Sequence, residues 1–83
     1  MKTPFAARLN LVIALIEIED YNFAQSLLNE VSKDVWETRE EGFTALATKL
    51  NNAWMKWPTN TLPDATTLGA IIQVRDILES KGY

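Results

Sequence analysis

The chain has 83 residues, a net charge of −3, and no histidine and no cysteine. It therefore lacks the side chain that titrates near neutral pH, the thiolate nucleophile and any disulfide, which argues against an enzyme and against a transition-metal centre or a metal-dependent cofactor. The scattered Lys and Arg exclude the clustered basic face of a general nucleic-acid binder, and a chain this short buries one core.

The first expected helix starts at Thr3-Pro4, an N-cap followed by proline at the first helical position, and runs to about Ile18. Phe5, Leu9, Leu11, Val12, Ile13, Leu15, Ile16 and Ile18 cover more than one stripe of it. A helix apolar nearly all round is expected at the centre of a fold. The unbroken apolar run Leu11–Ile16 is far short of the roughly 20 residues of a membrane span, and no small-residue cleavage site follows it. A cytoplasmic protein with no membrane partner is expected.

Asp20 or Asn22 caps the second helix, whose stripe is Phe23, Leu27 and Val31 with Ala24 and Leu28 alongside. The short junction Glu19-Asp20-Tyr21-Asn22 makes helices one and two an antiparallel hairpin. Asp34, with Glu37 three residues on, reads as a capping box that opens a long third helix. Its stripe is Trp36, Phe43, Leu46, Leu50, Trp54 and Trp57, and Pro58 stops it. On one helix, Trp36 and Trp54 would be five turns apart and in line, and Gly42 would sit in mid-helix, where a neighbour could approach closely.

The proline-bounded segment 58–63 is the main loop. The fourth helix begins at Asp64 or Thr66 and buries Leu68, Ile71, Ile72, Val74, Ile77 and Leu78. Gly82 is placed as its left-handed cap. No segment alternates as a strand does, so the expected fold is all-α: a small four-helix bundle-like single domain over residues 1–83.

Tyr21-x-x-Ala24-x-x-x-Leu28 resembles the start of the second helix of a tetratricopeptide repeat, over about ten residues and with no second copy. Leu68-Gly69, Val74-Arg75-Asp76 and Lys81-Gly82-Tyr83 resemble the recognition-helix region of winged-helix repressors, but Ile71-Ile72 fills the position of its polar start. That resemblance implies the alternative of a DNA-binding regulator working through the C-terminal helix.

The favoured reading is a non-catalytic protein-binding module: a small inhibitor, adaptor or accessory regulator, with the size and composition of many phage- and mobile-element-encoded inhibitors. A structural subunit of a homo-oligomer is a further alternative. Binding is expected at one or the other of two separate patches. One is the acidic junction Glu19 and Asp20 with Tyr21, and the other is Glu37, Glu40 and Glu41 with Trp36. Trp57, beside the proline-bounded loop, is a further candidate anchor. No catalytic residue, metal site or cofactor is expected, since neither acidic cluster has the spacing of a calcium loop.

Overall fold

Four stripes at helical spacing build the core. They are Phe5-Leu9-Val12-Ile16, Ala24-Leu28-Val31-Val35, Phe43-Leu46-Ala47-Leu50 and Ile71-Val74-Leu78, all buried. Each stripe belongs to one helix. The computed structural model describes residues 3–83 and contains α1 (Phe5–Glu17), α2 (Tyr21–Glu37), α3 (Phe43–Lys56) and α4 (Ala65–Ser80), with no strand among the described residues. The fold is an all-α four-helix bundle.

The backbones pack in a ring, α1 against α2, α2 against α3, α3 against α4 and α4 against α1, with no close approach across either diagonal. The long dimension is 32 Å and the cross-section 23 × 18 Å, two helices by two at roughly 10 Å each. The expectation that α1 is the central helix is therefore corrected. In a ring every helix has two neighbours and a free outer face. The surplus apolar residues of α1 lie on that face: Leu11 is 48% exposed and Ile18 72%.

The boundary between α2 and α3 also differs from the sequence reading. Asp34 does not open a helix, because the stripe Ala24-Leu28-Val31-Val35 runs on through it. Its carboxylate instead accepts a bond of 2.7 Å from the Arg8 guanidinium of α1. The break comes at residues 38–42, where Arg39 and Gly42 take positive φ (59° and 85°). Gly42 is thus the left-handed N-cap of α3 and not a mid-helix residue. Trp36 belongs to the last turn of α2, so Trp36 and Trp54 lie on different, adjacent helices.

Other local signals hold. Asp64 accepts from the backbone N–H of Thr67 at 2.7 Å and caps α4. Asp20 caps α2 by accepting from the N–H of Phe23. The start of α1 is corrected: Pro4, not Thr3, is its N-cap, the helix begins at Phe5, and no side chain makes a cap bond there. After α4, Gly82 (φ 84°) donates to the Glu79 carbonyl and Tyr83 to that of Leu78, the paired bonds of a Schellman ending. After α1, Glu19 (φ 63°) and Asp20 make the same pair of bonds to Ile16 and Leu15.

Each end of the bundle is closed by a specific cluster. At one end Tyr83 stacks on Phe5 (6.0 Å between ring centroids) and meets Phe43 edge-on (4.9 Å), and its carbonyl accepts from the N–H of Ala6. At the other end the buried Gln25 amide holds the α3–α4 loop. Its NH2 donates to the carbonyls of Trp57 and Pro58, and its oxygen accepts from the N–H of Asn60.

Candidate protein interface

The outer flank of α1 and its C-cap carries Ala7, Leu11, Ala14 and the capping Ile18 at intervals of four, three and four, opposite the buried stripe Phe5-Leu9-Val12-Ile16. On the neighbouring flank of α2, Phe23, Leu27, Glu30 and Asp34 follow the same spacing. The Arg8–Asp34 ion pair sets the antiparallel register of these two flanks. Leu15 and Ile18 therefore lie alongside Leu27 and Phe23. Phe23 is 57% exposed, and Leu15 and Leu27 are half-buried against the core. The result is one apolar face across α1 and α2, anchored by Leu11, Ile18 and Phe23.

The border of this face is acidic. Glu17 lies on its α1 side, Glu19 at its end and Glu30 on its α2 side, all exposed, and none of the three is in an ion pair among the described residues. Asp20 is engaged as the α2 cap. Of the nearby basic groups, Arg8 is held by Asp34 and Arg75 by Asp76 and the Asn10 amide oxygen, while Lys33, one turn beyond Glu30 on α2, is exposed and in no ion pair among the described residues.

A second surface is the groove between α2 and α3. Near one end it is lined by Ser32, Lys33, Trp36 and Glu37 of α2 and by Ala47, Thr48 and Asn51 of α3. Towards the other end, Asn22, Ser26 and Asn29 face Trp54 and Met55. Trp36 and Met55 are well exposed, but the groove walls between them are amide and hydroxyl side chains, so its apolar surface is discontinuous.

The other residues expected to bind divide into free and engaged groups. Trp57 is buried and donates its indole N–H to the Thr61 carbonyl at 2.6 Å, so it anchors the loop from inside. Tyr21 is half-buried against the core. Glu40 accepts from the Tyr83 hydroxyl at 2.5 Å, which raises the pKa of that phenol above its ordinary value. Glu37 and Glu41 are exposed, Glu37 on the last turn of α2 and Glu41 in the following linker. The two acidic patches lie at opposite ends of the bundle, as hairpin connectivity requires.

Among the described residues no three His, Cys, Asp or Glu side chains are placed to hold a metal ion. The carboxyl pKa of Asp64 is lowered by the Thr67 N–H that it caps. Among the described residues no helix is long and apolar enough to cross a membrane. Comparison with protein-family models, curated proteins and solved structures gives no match.

The acidic border at Glu19 and Asp20 is legible in the sequence, but the apolar anchors beside it are not, because Leu11, Ile18 and Phe23 read as core residues on hydrophobicity alone. The signal for them is a second stripe on α1, Ala7-Leu11-Ala14-Ile18, that a single buried face has no room for.

Proposed function

We propose that this chain is a non-catalytic protein-binding domain and that the α1–α2 face is its recognition surface. One observation carries the reading. Leu11, Ile18 and Phe23 are exposed on one continuous face although the core beneath is already filled by Leu9, Val12, Leu28 and Val31. Scattered exposed apolar residues need no explanation, but a contiguous patch with a charged border is the physical profile of an interface. A small acidic domain of this kind suits a stoichiometric inhibitor, adaptor or accessory regulator, and the lack of cysteine suits the cytoplasm.

The DNA-binding alternative draws less support. On α4 the Arg75 guanidinium is folded onto Asp76, and Gln73, Asp76 and Glu79 are the exposed neighbours, so that helix presents no basic face.

The test compares proteins captured from host lysate by the wild type and by a Leu11→Ser/Ile18→Ser/Phe23→Ser variant. These positions are exposed, so the variant should keep its helical circular dichroism. The expected result is a protein held by the wild type and absent from the variant. Identical capture profiles from two folded proteins would remove the assignment.

A further inference from the structure

We infer that the occupant of the α1–α2 face is a basic amphipathic helix supplied by another protein, an inference that rests on the reading of this face as the interface.

The spacing on α1 points to a helix. Ala7, Leu11, Ala14 and Ile18 repeat at four, three and four residues, the alternation that keeps one helix facing another along a shared seam. Large and small residues alternate along it. Leu11 and Ile18 are the projecting knobs, while Ala7 and Ala14 leave gaps that receive knobs from the partner. The second wall is α2, where Phe23 and Leu27 run antiparallel to the seam. A helix laid along α1 would therefore touch two helices at once and extend the bundle by one member. From Ala7 to Ile18 the seam is about 16 Å long at 1.5 Å per residue, three helical turns. The complementary segment presents apolar residues at i, i+3 or i+4, and i+7.

The border specifies charge. A helix in this seam has Glu17 on one flank, Glu30 on the other and Glu19 at its end, all exposed and in no ion pair among the described residues, against one exposed cation, Lys33, a turn beyond Glu30, so the border is net acidic. Lys or Arg beside the apolar stripe of the partner would meet these carboxylates. Acidic residues there would meet like charge. The same charges disfavour a second copy of this chain, because two such faces would bring two acidic borders together in molecules that each carry −3.

The test is selection from a display library of random peptides about 16 residues long, enough for the three turns of the seam. The bait is the folded wild-type protein, and selected peptides are resynthesised for titration. Enriched sequences should repeat apolar residues at helical spacing and carry more Lys and Arg than the unselected pool. Binding should weaken by at least about tenfold with Ile18→Ser/Phe23→Ser, as for loss of interface anchors. It should also weaken, with loss of its salt dependence, in Glu17→Lys/Glu30→Lys. Peptides that need Ile18 and Phe23 but are acidic, or lack helical spacing, would overturn the inference and leave the face as an interface. Peptides indifferent to Ile18→Ser/Phe23→Ser would overturn both. Sedimentation of the wild type alone provides the remaining outcome: a dimer that Ile18→Ser dissolves would make the occupant a second copy and overturn the inference.

Discussion

Gln25 is the polar residue on which the α3–α4 loop depends. It is buried, only 8% exposed, and its amide is fully engaged, donating to two carbonyls and accepting from the N–H of Asn60. Gln25→Ala would leave those backbone groups without partners near the core, at a cost of about 1–3 kcal/mol in urea denaturation. Gln25→Glu should cost more, because a carboxylate would face the carbonyls of Trp57 and Pro58 with no N–H to give them. Two other residues make pH-dependent contributions to the fold. The Thr67 N–H lowers the Asp64 pKa below its ordinary 3.8, so the contribution of that cap is complete above 3.8 and fades as pH falls through the lower folded value. The Glu40 bond raises the Tyr83 pKa above its ordinary 10.0, so that contribution is complete below 10.0 and fades as pH rises through the folded value. Chemical denaturation across pH should show both limbs. Asp64→Asn should flatten the acid one and Tyr83→Phe the alkaline one.

At the scale of elements, legibility in the sequence follows how local the signal is. The cap at Asp64, the stop at Pro58 and the left-handed ending at Gly82 depend on two or three neighbouring residues, and the structure has each in place. The α2–α3 boundary is misread because Asp34-x-x-Glu37 mimics a capping box, while the partner that Asp34 takes, Arg8, is 26 residues away. Only tertiary contact decides between the two. The glycines provide a direct test of the revised boundary. Gly42 caps α3 with φ 85°, and a Cβ there meets nothing within 4 Å, so Gly42→Ala should lose about 1–2 kcal/mol from backbone strain alone. Gly69 lies inside α4 with the same open surroundings and no positive φ, so Gly69→Ala should gain about 0.5–1 kcal/mol. Had Gly42 been a mid-helix residue, both substitutions would stabilise. Opposite shifts in melting temperature are the expected outcome.

At the scale of the whole molecule, the ring arrangement explains why the apolar content of α1 is visible in the sequence while its use is not. An all-round apolar helix fits a central position and fits equally a peripheral helix with one face in the core and one in an interface. Composition is the same in both, and only the absence of a packed neighbour on the outer side of α1 among the described residues separates them. Leu9 and Leu11, two residues apart, distinguish the alternatives by measurement. Leu9 is fully buried and Leu11 about half exposed. Leu9→Ala would open a cavity in the core between the four helices and should cost about 2–5 kcal/mol, a large part of the stability of a domain this size. Leu11→Ser gives up the half of the side chain that is buried and some helix propensity, and should cost about 1 kcal/mol, well below Leu9→Ala. The two substitutions should also separate in function. Leu9→Ala protein that remains folded at low temperature should keep its partner, because its outer face is intact, whereas Leu11→Ser protein should lose affinity with only a small shift in its melting curve. Equal destabilisation by both would mean that the outer flank of α1 is packed in solution, and the open face assigned to α1 and α2 would have to be withdrawn.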